Sequence, residues 1–263
     1  METRWLDLAE AAALHVGERL RRYFLQRNFR VWEKKEEWGL VTEADVDADR
    51  TLRAFFATAT PDVPVLSEEG TTVYPEDAPG VWVADPVDGT TNFVAGLPFW
   101  GVLVAYVEQG MPVAAAMYFP MMEEMYTALR GKGAWCNGRP LRVQEPVTKE
   151  TRFMYLCSDT PWLYQVDLRY KSRILGCGAY HIALVAAGKG VLSVDCAPFA
   201  WDFAAPSLVL MEAGGVVDTL EGQPLFPLKP GRDYAEAYHT VLAAAHPSYL
   251  EEARKHFHRR FAK

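Results

Sequence analysis

The stretch DPVDGTTNF, residues 85–93, follows directly after the apolar run VWVA, residues 81–84. The strand that this run predicts is apolar on both faces, so we expect it to be buried. Asp85 and Asp88 then stand at the end of a buried strand, where like charges require a cation between them or a proton on one of them. A turn without further function, stiffened by Pro86, is the alternative.

The residue types around this turn indicate which cation fits. Carboxylate oxygens with no neighbouring Cys or His favour Mg²⁺ or Mn²⁺ over zinc. Gly89 and Thr90 stand at a predicted helix start, where free N–H groups suit a phosphate. Acids for a metal beside donors for a phosphate are typical of a metal-assisted phosphoesterase.

Three further acids, Asp45, Glu68 and Asp202, stand at the ends of predicted elements. Thr42 and Asp45 match a helix capping box, and Asp202 can cap the helix that it begins. Taken one at a time, all three acids have ordinary structural explanations as caps or solvated charges. Their residue types alone leave open whether they join the two aspartates of the turn.

Length, charge and composition exclude several classes of protein. The 263 residues suffice for a complete core, in one unit or in two packed halves. A net charge of -7 predicts no nucleic-acid partner and no anionic membrane partner. The pattern of residues 1–24 is that of an amphipathic helix and not of an export signal. The four cysteines form no Cys-x-x-Cys pair. Together these features predict reduced thiols and a cytoplasmic location.

The pattern of elements changes near residue 145. Before it, predicted helices precede a meander of apolar strands, and after it strands alternate with helices. The last helix is predicted at residues 247–261. We find no linker and no repeat, and therefore expect one compact unit, residues 1–263, with parts at 1–145 and 146–263.

Four blocks of sequence carry a resemblance, in the order LVTEAD (40–45), SEEG (67–70), DPVDGTTNF (85–93) and WDFAAPSLVLMEAGG (201–215). Together they resemble the inositol monophosphatase family of Mg²⁺-dependent, Li⁺-inhibited phosphatases. The match in order and spacing runs from about Lys34 to Gly215. The resemblance implies an α/β (α+β) layered sandwich in which helix and sheet layers alternate. It also implies a homodimer, for which the apolar meander is a candidate interface.

The resemblance further implies which residues form the site. Two or three Mg²⁺ ions, replaceable by Mn²⁺, would be held by Glu68, Asp85, Val87, Asp88 and Asp202. The first ion would take Glu68, Asp85 and the Val87 carbonyl, and the second the three aspartates. The residues implied to act on the attacking water are Asp45, Thr90, Glu68 and Lys34. The residues implied to contact the substrate are Asp88, Gly89, Thr90, Gly176, Cys177, Gly178, Asp195 and Asp202.

The implied reaction is hydrolysis of a small phosphate monoester, with inositol 1-phosphate as the first candidate, by in-line attack of an activated water. Asp195 stands where many family members have a glutamate, and Gly178 also departs from the family pattern. A fructose 1,6-bisphosphatase or a dual-specificity sugar phosphatase is therefore an alternative. A catalytically silent relative that acts as a binding or regulatory partner is a further one, although retention of every metal-site acid argues against it.

Overall fold

The structure is a computed structural model that describes residues 2–33, 39–236 and 238–260. Its helices are α1 (Glu2–Gln26), α2 (Glu43–Ala59), α3 (Thr90–Ala95), α4 (Thr160–Leu163), α5 (Gly178–Ala186), α6 (Ala200–Glu212) and α7 (Pro247–His256). Its strands are β1 (Val31–Glu33), β2 (Leu40–Thr42), β3 (Val65–Ser67), β4 (Gly80–Asp88), β5 (Gly101–Glu108), β6 (Met111–Phe119), β7 (Glu124–Leu129), β8 (Gly133–Cys136), β9 (Arg139–Pro140), β10 (Phe153–Leu156), β11 (Tyr164–Val166), β12 (Lys171–Arg173), β13 (Leu192–Asp195), β14 (Val216–Thr219), β15 (Val241–Ala244) and β16 (Phe257–Arg259).

Two sheets alternate with layers of helix. The larger sheet has seven strands in the order β3-β4-β5-β6-β7-β8-β9, with β3 parallel to β4 and the rest antiparallel. Helices α1 and α2 pack against this sheet, and α5 and α6 lie between it and a five-stranded sheet ordered β12-β10-β13-β15-β14. Helix α7 packs on β15. The predicted layered sandwich is confirmed.

Strand β4 is buried on both faces, which is why its sequence is apolar at successive positions. Val81 and Val83 pack into the core that includes α5 and α6, whereas Trp82 and Ala84 pack into the core under α1 and α2. Successive side chains of a strand point to opposite faces, so a sheet covered by helices on both sides needs apolar residues throughout. The prediction of a buried strand before Asp85 is confirmed.

Helix α2 begins where the local sequence predicts it. Thr42 is the N-cap, and its Oγ1 accepts from the N–H groups of Ala44 and Asp45 at 3.1 and 3.3 Å. Oδ2 of Asp45 accepts from the Thr42 N–H at 2.8 Å, which completes the capping box. The cap fixes Asp45 at the start of α2, next to the short β1–β2 hairpin.

The C-terminal helix is shorter than the sequence predicts. The helix expected at residues 247–261 ends at His256, and Phe257–Arg259 forms β16, antiparallel to β11. Pairing with a strand distant in sequence satisfies the main-chain groups of these residues, and this outweighs the local helical pattern. Residue 261 lies outside the described residues. None of the helices in the described part is long and apolar enough to cross a membrane. The division at residue 145 stays a prediction.

Candidate functional site

The pairing of β4 changes where the two aspartates of the DPVD turn stand. Asp85 pairs with Leu103 and Asp88 with Gly101, so three residue steps on β4 oppose two on β5. A bulge of this kind bends a strand and redirects its side chains. Oδ1 of Asp85 accepts from the Val87 N–H at 2.8 Å, which fixes the carboxylate inside the bulge. Both aspartates therefore stand at one end of the large sheet.

Gly89 connects β4 to α3 through a conformation that favours glycine. Its φ is +89°, in the left-handed region, and a Cβ at this position would lie 2.8 Å from the main-chain oxygen of Phe99. Any larger residue would strain the backbone and push against Phe99. The glycine thus lets α3 start at Thr90, with a single residue between it and the end of β4.

A cavity of about 260 Å³ opens beside this turn, and it is lined by Gly39, Leu40, Glu68, Asp85, Val87, Asp88, Gly89, Thr90, Thr91, Gly176, Asp195, Phe199 and Asp202. All five residues predicted to hold metal ions are in this set. Other cavities are larger, such as one of about 460 Å³ lined by Lys229 and Arg232 among others. The chemistry of the lining, not the volume, therefore identifies the candidate site.

The acids in this cavity share a strongly negative environment. Burial raises the pKa of Asp85 well above its usual range, and the charges of Glu68 and the neighbouring aspartates raise it further. Burial and the charges of Glu68 and Asp88 do the same to the pKa of Asp202. Burial also raises the pKa of Asp88, although hydrogen bonds to its carboxylate oppose the rise. A divalent cation among these oxygens would offset both burial and repulsion.

Protein hydrogen bonds position two of these carboxylates. Oδ2 of Asp88 accepts from the Cys177 thiol at 2.8 Å and from the Ala179 N–H at 2.9 Å. Oδ2 of Asp202 accepts from the Phe199 N–H at 2.7 Å, at the start of α6. A carboxylate has about four acceptor positions, so these bonds leave acceptor positions for a cation.

The carboxylates line one cavity without already converging on one point. Within residues 2–33, 39–236 and 238–260, no three His, Cys, Asp or Glu side chains have donor atoms arranged to hold a metal ion as they stand. Like charges favour separation of the side chains. The candidate ligands therefore share one cavity without forming a ready-made metal cluster.

Thr90 links the DPVD turn to Asp45 at the start of α2. Its hydroxyl lies 3.0 Å from Oδ1 of Asp45 and 3.0 Å from the Val87 carbonyl oxygen, and it can donate its single proton to either. The other oxygen of Asp45 accepts from both the main-chain N–H and the hydroxyl of Thr42. Burial raises the pKa of Asp45, and the hydrogen bonds from Thr42 and Thr90 oppose the rise. The structure thus joins Thr90 to Asp45, two of the residues implied to act on the attacking water.

A network that the sequence analysis missed supports Glu68. The preceding residue, Ser67, donates its hydroxyl proton to Oδ1 of Asp49, and Nη2 of Arg53 donates to the Ser67 oxygen at 2.7 Å. Nε of Arg53 also donates to Oδ2 of Asp49 at 2.8 Å. Two residues of α2 therefore fix the end of β3, where Glu68 enters the cavity. The spacing Asp49–Arg53, four apart on a helix, was the only signal in the sequence.

The residues expected to contact the substrate fall into two groups. The cavity is lined by six of them, Asp88, Gly89, Thr90, Gly176, Asp195 and Asp202. Cys177 and Gly178 instead touch residues that line it. The Cys177 side chain is 2% exposed and its thiol is bonded to Asp88. A Cβ on Gly178 would collide with Oδ2 of Asp195, so the glycine makes room for that carboxylate. Burial is the largest cause that raises the pKa of Asp195, to about 8.

Asn92 and His181, neither of which the sequence assigns to the site, hold the segment before Gly176. Nδ2 of Asn92 lies 2.7 Å from the Leu175 oxygen and 2.7 Å from the Phe99 oxygen, and it donates to both. The Leu175 N–H donates to Nε2 of His181 at 3.0 Å. His181 is 1% exposed, so its ring is packed in the core and at the same time fixes the loop before Gly176.

Lys34, predicted to lie near the attacking water, falls outside the described residues. Gly39 and Leu40, which follow it in the chain, line the cavity. The roles assigned to individual residues stay predictions.

Comparisons with known proteins show to which family the chain belongs. A model of the inositol monophosphatase family matches residues 1–260. The chain belongs to the inositol monophosphatase family. It is 36% identical over 231 residues to the inositol-1-monophosphatase of Mesorhizobium japonicum, covering 82% of this chain and 86% of that protein. It is 34% identical over 219 residues to the histidinol-phosphatase of Chlorobaculum parvum, covering 80% of this chain and 83% of that protein.

A solved structure shows the same fold. The extragenic suppressor protein suhB of Bartonella henselae matches with a TM-score of 0.81 at 29% identity, covering 95% of this chain and 96% of that chain. The predicted family and fold are therefore confirmed. The chain is a phosphomonoesterase of this family, and the names of its relatives differ in substrate.

Proposed function

We propose that the chain hydrolyses inositol 1-phosphate, or a closely related sugar phosphate, with Mg²⁺ as its cofactor. The observation that carries the proposal is a single cavity lined by Glu68, Asp85, Asp88 and Asp202, with Thr90 beside them. The named activity of the 36% identical relative supports the choice of substrate. Mg²⁺ is the ion used in the family to which the chain belongs.

The donor set of the cavity fits divalent ions that prefer oxygen. Glu68, Asp85 and the Val87 carbonyl would hold one ion, and Asp85, Asp88 and Asp202 a second, with Mn²⁺ as a substitute. Glu68 would also help to hold a third, weaker ion. Bound ions would lower the pKa of water and neutralise charge that develops on the phosphate and on the leaving oxygen. Each proposed ligand lies in the cavity lining.

Thr90 and Asp45 would orient the attacking water. When the Thr90 hydroxyl donates to Oδ1 of Asp45, its oxygen lone pairs remain to accept a proton from water. Burial raises the pKa of Asp45, which makes its carboxylate a better proton acceptor than an exposed aspartate. The capping box with Thr42 prevents Asp45 from rotating away. Lys34 would lie near the same water.

Different residues of the cavity lining would hold the two ends of the substrate. The N–H groups of Gly89 and Thr90 would donate to phosphate oxygens at the end of β4. Gly176 and Asp195 would contact the sugar, with the carboxylate bonded to hydroxyl groups. Glycine at position 178 leaves the space in which Asp195 sits. The sugar hydroxyls would thus be recognised at the end of β13.

Phosphate release from a panel of monoesters tests the proposal. The purified protein with Mg²⁺ is assayed on inositol 1-phosphate, fructose 1,6-bisphosphate, histidinol phosphate and p-nitrophenyl phosphate. We expect the highest kcat/KM for inositol 1-phosphate, and a loss of about 100-fold or more in Asp88→Asn. Asp77→Asn, an exposed acid away from the cavity, is the matched control.

The outcomes of the panel separate the alternatives. Preference for fructose 1,6-bisphosphate would support the bisphosphatase alternative. Equal and negligible release by the wild-type chain and Asp88→Asn would leave only the silent, regulatory relative. The predicted homodimer is tested separately, by light scattering of the purified protein.

A further inference from the structure

Two cysteine thiols outside the acid cluster contact the same hydroxyl. Sγ of Cys157 lies 3.2 Å from Oγ1 of Thr160, and the same oxygen lies 3.3 Å from Sγ of Cys196. Thr160 is fully buried at the start of α4. Strands β10 and β13 are parallel neighbours, and the Cys157 N–H donates to the Val194 oxygen at 3.0 Å. The fold thus fixes both cysteines at the same end of the small sheet.

The two thiols differ in chemical character. The pKa of Cys157 is lowered to about 6. A hydrogen bond from Cys196 is the largest cause, and the Thr160 hydroxyl also lowers this pKa, whereas burial opposes the change. The same interaction raises the pKa of Cys196. Cys157 is partly exposed and Cys196 is buried. Cys157 is therefore the thiolate that a small reagent reaches, and Cys196 is the protonated thiol beside it.

The remaining cysteines lack this combination. Cys177 is buried, and burial raises the pKa of its thiol well above the usual value. Cys136 is partly exposed, but burial raises its pKa as well. Of the four cysteines, Cys157 alone combines a lowered pKa with partial exposure.

We propose that Cys157 and Cys196 form an oxidisable dithiol that couples peroxide to the sugar end of the active site. The Cys157 thiolate attacks hydrogen peroxide: an S–O bond forms, the O–O bond breaks, and the leaving hydroxide takes up a proton from solvent, equal to the one Cys157 released on ionisation, to become water. Sulfur loses two electrons in this step. The Cys196 sulfur then attacks the sulfenic sulfur, the S–S bond forms, and the hydroxyl leaves as water with the Cys196 proton. The net reaction converts two thiols and one peroxide into one disulfide and two waters.

The coupling follows from the position of Asp195. It directly precedes Cys196 and lines the cavity. The charge of Cys157 is the second cause, after burial, that raises the pKa of Asp195, so the two groups interact electrostatically. An S–S bond would remove the Cys157 charge and change the contacts of both sulfurs with the Thr160 hydroxyl. It would also pull the end of β13, and the Asp195 carboxylate would shift relative to Gly178.

Peptide mapping of the oxidised wild-type chain tests the thiol chemistry without reference to activity. The protein is reduced, freed of reductant, treated with stoichiometric hydrogen peroxide, alkylated and digested with trypsin. The four cysteines fall in four tryptic peptides, 133–142, 153–169, 174–189 and 190–232. We expect one cross-linked species that joins 153–169 to 190–232, about 2 Da lighter than the sum of the reduced peptides and reversed by dithiothreitol.

Variants provide the controls. Peroxide should remove two titratable thiols from Cys136→Ser, as it does from the wild-type chain. In Cys157→Ser and in Cys196→Ser it should not. Unchanged thiols in the wild-type chain, or a bridge through Cys177, would overturn the proposal. Over-oxidation of Cys157 with Cys196 still free would overturn it as well, because Cys196 would then not close the bridge.

The activity measurement rests on the proposed function, whereas the peptide mapping does not. We expect oxidation to raise KM for inositol 1-phosphate by about tenfold, equivalent to about 1.4 kcal/mol, with little change for p-nitrophenyl phosphate, and reduction to restore it. An unchanged KM in a fully bridged sample would refute the coupling to the sugar end. A chain that forms the bridge but hydrolyses none of the monoesters would refute the proposed function alone.

Discussion

His181 should make the stability of the protein depend on pH between about 6.5 and 4. The ring is 1% exposed in α5, and its Nε2 accepts from the Leu175 N–H at 3.0 Å. It also stacks on Tyr155, with ring centroids 5.6 Å apart. Burial lowers the pKa of His181 from 6.5 to about 4. The folded chain therefore keeps this ring neutral, with Nε2 as an acceptor, at a pH where the unfolded chain protonates it.

The magnitude follows from that difference in pKa. One pKa unit corresponds to about 1.4 kcal/mol, so a pKa lowered from 6.5 to about 4 corresponds to about 3 kcal/mol of unfolding free energy. Because the folded pKa is the lower one, the stability is complete above pH 6.5. It is lost progressively as the pH falls toward 4, since the unfolded chain binds the proton more tightly.

Comparison with His181→Gln isolates this contribution from the carboxylates, which titrate in the same range. The glutamine Oε1 can replace Nε2 as the acceptor for Leu175, and it does not titrate. Urea unfolding of both chains, with metal chelated, is followed at pH 8, 6, 5 and 4. We expect the wild-type chain to lose about 3 kcal/mol relative to the variant between pH 8 and pH 4. A difference between the two chains that does not change with pH would refute the reasoning.

Three further predictions concern the cavity. Thr90→Val should lower kcat about 100-fold at similar KM in the phosphate-release assay, because the water loses an acceptor; an unchanged kcat would exclude that role. Gly89→Ala should cost about 3 kcal/mol in urea unfolding, against about 1 kcal/mol for the control Gly131→Ala. Both glycines have positive φ, but only Gly89 lies close to another main-chain atom; equal losses would contradict this. Saturating Mg²⁺ at about 100 times its Kd should add about 2.7 kcal/mol of stability in calorimetry, and Asp88→Asn should remove most of it; no shift in the wild-type chain would argue against the metal site.

Features with a local signal were predictable from the sequence. The apolar strand before Asp85, the capping box of Thr42 and Asp45, and the glycine between β4 and α3 all depend on residues within a few positions of one another. Local patterns of this kind determine caps and turns directly. The family resemblance then supplied the residues that lie far apart in the chain, including Asp202.

Features that depend on distant partners were not predictable. Asn92 bonds to Leu175, 83 positions away, and no pattern around either residue indicates the contact. The helical pattern after residue 256 gave way to β16 because β11 offered main-chain partners. The Cys177 thiol donates to Asp88, 89 positions away, and no local pattern indicates this contact either. In each case tertiary contacts outweigh or add to a weak local signal.

The packing of Gly178 against Asp195 has an evolutionary consequence. Because a Cβ at position 178 would collide with the Asp195 carboxylate, alanine at 178 forces that carboxylate to turn away from its present place. The two positions are therefore coupled, and the effect of a replacement at either depends on the residue at the other. A lineage that acquires a side chain at 178 thereby changes the orientation of residue 195 without changing its identity. Substrate preference in relatives of this chain should accordingly follow the pair of residues and not residue 195 alone.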